Sequence, residues 1–279
     1  DKIIKVEIDK GHSFYMIIED HPEFDIVERT LYYYQEKGYL SCKNIDLPRL
    51  VRYRKRKRNV PKNKTERKEN ACRINRTFQD FTRYKEANKI TYYVEMDTVE
   101  GIKGHSVLLT LNFVPFNFMI SYKLESQTIS EVTDKINKLK KLLGYELFHK
   151  IFPVILTDNG KEFKRPDLIE DNGSDVVKTK VFYCDSRRSD QKGSIEVTHE
   201  YIRRYIEQGT DLDKYSDDDI LLMMNHINNT KREKLKGKTP YELMEEKIGK
   251  ENIKKLGFYF IPPKDIILKP NLFKKDNNK

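Results

Sequence analysis

Three acidic residues have the types and spacing to do phosphoryl chemistry. Asp97 lies in VEMDTVEG, Asp158 in VILTDNGKEF and Glu196 in QKGSIEVTHEYIRRYI, sixty-one and then thirty-eight residues apart. Carboxylate oxygens are hard ligands that suit Mg2+, with Mn2+ a natural substitute. Two such ions ~3.5–4 Å apart can lower the pKa of an attacking hydroxyl and stabilise a leaving oxygen, the two obstacles to breaking a phosphodiester. In this scheme Asp97 bridges the metals and shares a strand face with Glu95. Asp158 ends a strand beside Asn159-Gly160, a turn that lets the backbone leave sharply. Glu196 reaches in from a helix, with Glu200 one turn later and Asp185 and Asp190 as weaker rivals. Lys192, Arg203 and Arg204 flank Glu196 and are candidates to hold a DNA strand. His199, three residues after Glu196, could support the acid, contact DNA or serve structure alone.

The elements that must position these acids are legible. TYYVEMD, SVLLTLNF and FNFMISYKL read as three strands separated by GIKGH and a Pro-Phe-Asn turn. A helix over about 130–143 follows, then FPVILTD, an apolar run of the kind buried on both faces. VFYCD is a fifth strand, and a long helix over about 192–206 comes next. The expected fold is α/β, a ribonuclease-H-like mixed five-stranded sheet with flanking helices. Further helices are predicted over 217–228, capped at Ser216, and from Thr239-Pro240, with Pro at the first helical position. The Pro- and Lys-containing end, 257–279, is expected on the surface.

Upstream, residues 1–42 read as a small helical domain. Ser13 caps a helix to Asp20. Asp25 with Glu28 has the form of a capping box for a helix over 26–37 that stops at Gly38. Arg29, Tyr32, Tyr33, Gln35 and Lys37 are left outside on that second helix, which suits a helix-turn-helix whose second helix reads DNA, with Arg29 and Tyr33 as contacts. Residues 43–89 are a basic linker ending in a short amphipathic helix, about 75–88. Between Arg49 and Lys68 eleven of twenty residues are Lys or Arg. Arg54, Lys55, Arg56, Lys57 and Arg58 are the densest part, expected to neutralise phosphates without choosing sequence. The catalytic core then covers 90–210, and C-terminal helices with a basic tail cover 211–279.

Composition agrees and excludes. The 279 residues carry a formal charge of +10, which favours a polyanionic partner. Three cysteines (Cys42, Cys72 and Cys184), with no C-x-x-C pair, argue against a disulfide framework or a structural zinc. No run approaches the ~20 apolar residues of a membrane span, and no signal peptide is visible. The reading is a cytoplasmic protein with neither a membrane nor a small-molecule substrate. The chain begins at Asp1 without Met, as a fragment would.

The segments ERTLYYYQEKGYLSCKNIDLPR, VEMDTVEGIKGHSVLLTLNF, FPVILTDNGKEF, VFYCD, QKGSIE with HEYIRRYI, GTDLDKYS, LMMNHINN and KTPYELM, in this order, resemble the DDE transposases of bacterial insertion sequences of the IS-thirty type. The resemblance implies a helix-turn-helix that binds terminal inverted repeats and a core that cuts element ends and joins them to target double-stranded DNA. It places Asp97, Asp158 and Glu196 at the family's metal-binding acids. It further implies nucleoid association and self-association as a dimer or higher, since two ends must meet. The chain departs from the pattern at Val197-Thr198, where a basic residue and Asn are expected, and at SRRSD, where a Pro is usual. The interval between its second and third acids is also a little longer. A transposase-derived DNA-binding regulator that does not cut is the alternative, and a nuclease of RNA–DNA hybrids is a third reading.

Overall fold

β-branched and aromatic residues dominate five runs of the chain, and in the computed structural model they pair into one sheet. The structure describes residues 1–48, 71–171, 179–186 and 188–273. Three helices come first: α1 (Lys2–Asp9), α2 (Phe14–Asp20) and α3 (Glu28–Glu36). Then follow α4 (Phe78–Ala87), β1 (Tyr93–Glu100), β2 (Val107–Val114), β3 (Phe118–Leu124), α5 (Ile129–Leu143) and α6 (Tyr145–Ile151). β4 (Val154–Thr157), α7 (Pro166–Glu170), β5 (Lys180–Tyr183), α8 (Gly193–Tyr205), α9 (Asp217–Asn228), α10 (Pro240–Ile248) and α11 (Lys250–Lys255) complete the order. The strands lie as β3-β2-β1-β4-β5. The first three are antiparallel, while β1-β4 and β4-β5 are parallel. This is the mixed five-stranded, ribonuclease-H-like arrangement expected from the sequence.

The faces divide the helices. Val94, Met96, Ile155 and Val181 join Val132, Ile136 and Leu139 of α5 in the main core. The opposite face carries α4 over the parallel edge, where Phe81 meets Val154, Leu156 and Phe182, and α8 over β1 and β2. Asn228 of α9 satisfies the β3 edge, accepting from Met119 N (2.9 Å) and donating to Met119 O (2.8 Å). Such pairing closes an edge that would otherwise invite another strand.

Several expectations are corrected. The N-terminal unit has three helices, and seven residues rather than a tight turn join α2 to α3. Asp25 forms no capping box: it takes a left-handed conformation (φ 47°) closing the turn at Pro22–Phe24, so α3 starts later, after Val27. Tyr32 packs edge-on against Phe14 at 4.8 Å instead of facing solvent. The Gly38 stop is present, with φ 74° and Tyr39 N donating to Tyr34 O at 2.8 Å. The short helices α6, α7 and α11 were not expected.

The described part of the C-terminal segment, residues 257–273, is not a surface tail. Phe258, Ile261, Ile266 and Leu268 are buried in the main core. Asn225 of α9 and Asn229, which follows the helix as its C-cap, accept from Tyr259 N and Ile261 N. On its other side the segment meets the N-terminal helices, through Leu268 N on Lys10 O (2.7 Å) and His12 Nε2 on Ile266 O (2.9 Å). Main-chain hydrogen bonding to buried side chains holds it without α-helix or strand, with 3-10 turns at Pro263–Asp265 and Pro270–Phe273.

Candidate active site

β1 and β4 run parallel and adjacent and pair up to Met96 and Thr157, so the residues that follow this pair emerge side by side. Asp97 on β1 and Asp158 just after β4 line one cleft of ≈ 400 Å³, together with Thr98, Gln127, Gly160, Glu162, His199 and Arg203. Asp158 Oδ1 accepts from Gly160 N at 2.9 Å, which turns the chain sharply at Asn159-Gly160. Asp97 Oδ1 accepts from Thr98 N at 2.9 Å.

Glu196 is placed differently. It sits exposed in the first turn of α8 and does not line the cleft, whereas His199, nearly one turn later, does. Among the described residues the three acids do not bring their ligand oxygens within 4.8 Å of one another. The trio that does is His105, Asp211 and Asp213. His105 Nδ1 lies 2.9 Å from Asp213 Oδ2 and 3.3 Å from Asp211 Oδ1, and Ser106 N donates to Asp213 Oδ1. These contacts raise the His105 pKa. The trio clips the β1–β2 loop to the loop after α8. Asp185 and Asp190 pair on the surface with Arg73 and Arg188.

Lys192 also differs from expectation. Only 6% exposed, it sets Nζ 3.0 Å from Asp97 Oδ2 instead of facing solvent. Arg203 lines the cleft and donates to Glu100 O at 2.8 Å, with its pKa lowered by burial. The Arg204 guanidinium stacks on Tyr201 at 4.4 Å. On α3, Arg29 and Tyr33 are exposed. Arg54, Lys55, Arg56, Lys57 and Arg58 lie outside the described residues.

A polar seam between α8 and the sheet fixes the third acid's helix. α8 begins Lys192-Gly193-Ser194, and its own N-cap side chain makes no capping bond. Glu95, 1% exposed on β1, supplies the acceptor: its Oε2 takes Ile195 N–H at 2.5 Å. Burial pushes its pKa up to about 7, against the opposing pull of that N–H and of Lys192. Thr198 Oγ1 donates to Asn112 Oδ1 at 3.2 Å and is fully buried. The departure from the family pattern at Thr198 therefore falls on a packing position. His199 Nε2 lies 2.8 Å from Thr110 Oγ1, and burial depresses its pKa to about 3, so it is neutral at pH 7.

Gln127 and Glu162 are among the cleft residues that escaped the sequence reading. Glu162 is 4% exposed. Its Oε1 accepts from Thr98 Oγ1 (2.9 Å) and Gln127 Nε2 (2.8 Å). Its one visible signal was its place in DNGKEF, four residues after Asp158.

No family model matches the chain. A protein of Spiroplasma virus SpV1-R8A2 B named as integrase ORF3 is 32% identical over 140 residues, 50% of this chain and 41% of its own. The transposase for insertion sequence element IS4351 of Bacteroides fragilis is 26% identical over 57% of this chain and 46% of its own. Transposase InsI for insertion sequence element IS30A of Escherichia coli is 36% identical over 25% of this chain and 18% of its own. Among solved structures, the catalytic core domain of BIV integrase aligns with 56% of this chain and 94% of its own, at 16% identity and a TM-score of 0.41. The chain matches less than half the length of each of these three curated relatives. By sequence, the chain is a relative of the transposases of bacterial insertion sequences, those of the IS30 type included.

Proposed function

We propose that the chain is a DDE-type transposase, which cleaves DNA strands at element ends and joins the freed 3′-hydroxyls to target DNA. The observation that carries the reading is the shared cleft of Asp97 and Asp158, which directly follow Met96 and Thr157, the last pair between two adjacent parallel strands, in a chain whose relatives are named as transposases and an integrase.

The donor set fits a divalent ion such as Mg2+ or Mn2+. It offers carboxylates, and all three cysteines are free and lie elsewhere, which disfavours a soft-ligand metal. Asp97 and Asp158 would hold the ions, and Glu196 would serve as a third ligand from α8. When bound, the metals would activate the attacking water or 3′-hydroxyl and stabilise the leaving oxygen. The protein's own groups do the positioning. Arg203 presents a cation at the cleft wall for a phosphate, Arg204 lies one residue further on the same helix, and Lys192 balances the charge of Asp97. Arg29 and Tyr33 on α3, with the basic stretch Arg54–Arg58, would bind the duplex outside the cleft. Two such chains or more would bring two ends together, and the nucleoid of a bacterial cytoplasm is where they would act.

Nicking of supercoiled plasmid in Mg2+ or Mn2+ tests this. Asp97→Asn and Asp158→Asn should each lower the rate by about 100-fold or more. Wild-type rates in both variants would overturn the assignment. An undiminished Glu196→Gln variant would remove Glu196 alone. A gel shift with retained DNA binding but no metal-dependent nicking in the wild type would favour the non-cutting regulator.

A further inference from the structure

We infer that Glu162 is a further ligand of the cleft, offering a carboxylate oxygen to the same divalent cation as Asp158. The inference rests on reading the cleft as a divalent-cation site.

A glutamate buried to 4% normally keeps its charge only beside a cation or a full set of donors. Glu162 has an asymmetric arrangement instead. Both of its hydrogen bonds end on Oε1, from Thr98 on β1 and from Gln127 just before α5. Gln127 also donates to Thr98 Oγ1 at 2.9 Å, so the anchoring pair is itself tied together. No Lys or Arg among the described residues pairs with Glu162, and none of them donates to Oε2. One oxygen is thus fixed by two donors and the other is left as a bare acceptor on a residue that lines the cleft. Carboxylates that ligate metals are commonly held in this way, oriented through hydrogen bonds from neighbouring side chains.

The backbone is shaped for the same pair of acids. A Cβ at Gly160 would stand 2.6 Å from Glu162 Oε2 and 3.0 Å from Asp158 Oδ1, so both oxygens crowd one point that only glycine leaves open. Of the nearby cations, Lys192 is engaged with Asp97, and Arg203 on the cleft wall donates to Glu100 O. Two carboxylates brought together without a protein cation between them are what a divalent ion with hard oxygen ligands requires.

The test is calorimetric titration of the full chain with Mn2+, a readout independent of DNA cleavage. Glu162→Gln keeps the shape and an acceptor for Thr98, and should weaken Mn2+ binding by about tenfold or more. Wild-type affinity in this variant would overturn the inference. Asp158→Asn, measured alongside, separates the two levels. If it weakens Mn2+ while Glu162→Gln does not, Glu162 alone is excluded, and if neither changes, the cleft is not the metal site. Should Glu162→Gln fail to fold, Glu162→Cys decides: a thiolate ligand shifts preference toward Cd2+ over Mn2+, and an unchanged Cd2+/Mn2+ ratio would overturn the inference.

Discussion

Lys192 and Asp97 form the ion pair on which the cleft's charge balance turns. Their side chains are 8% and 21% exposed, so the pair is only partly screened by water. Removing one partner of such a pair costs more than the pair itself contributes, because the remaining charge stays in a poor solvent. Lys192→Met should therefore destabilise the chain by about 1–3 kcal/mol in EDTA. In saturating Mg2+ the loss should shrink, since a divalent ion on Asp97 would replace the ammonium. Urea unfolding in the two buffers checks this, and an equal loss in both would mean that the metal and the lysine do not share Asp97. At this scale the sequence was partly readable. Asp97 and Asp158 stood out because apolar, strand-like runs lead up to them, but Glu162 did not. Its burial depends on Thr98 and Gln127, thirty-five and more residues away in the chain, and no local pattern reports such a contact.

Elements decide where those residues point, and α8 shows how. The segment before it has no Ser, Thr, Asp or Asn in capping position, so local sequence predicts a weakly started helix. The acceptor comes from Glu95, a hundred residues earlier, which takes the Ile195 N–H. Glu95→Leu would leave that buried N–H without a partner, at a cost of about 1–3 kcal/mol. Glu95→Gln retains an acceptor oxygen and should lose less. Hydrogen exchange at Ile195 should speed up in the leucine variant, and an unchanged rate would show that α8 starts without Glu95. All five strands and the helices α5, α8, α9 and α10 were legible, because apolar periodicity and caps such as Ser216 and Thr239 are local signals. The short helices α6, α7 and α11 were not, having seven, five and six residues. One or two turns carry too few periods to register, and only tertiary packing stabilises them.

At the scale of the whole molecule, the segment from Phe258 to Leu268 joins the N-terminal helices to the core, and its burial was hidden by its composition. Lysines and prolines suggested a surface tail, but Phe258, Ile261, Ile266 and Leu268 alternate irregularly with them and fill the core from a chain whose one regular element is a single 3-10 turn, Pro263–Asp265. α9 grips this segment through His226, whose Nδ1 accepts from Ile267 N at 3.1 Å. That bond needs a neutral imidazole. Burial lowers the His226 pKa to about 4, partly opposed by the Asp265 carboxylate. The unfolded chain protonates the same ring near 6.5. Above that pH His226 is neutral in both states and stability does not depend on it. As pH falls from 6.5 toward 4, the unfolded state takes up the proton first and stability is lost, by up to about 3 kcal/mol for this group. His199, which faces Lys192 and Arg203, and His12, which faces Glu7, Asp20 and Lys10, are also depressed by burial and titrate in the same direction. The comparison must therefore be with His226→Gln, which can still accept from Ile267 N but does not titrate. The difference in unfolding free energy between wild type and variant should be constant above pH 7. Below pH 6 it should move progressively in the variant's favour. A difference that stays flat down to pH 4 would show that the grip of α9 on the C-terminal segment does not depend on the charge of His226.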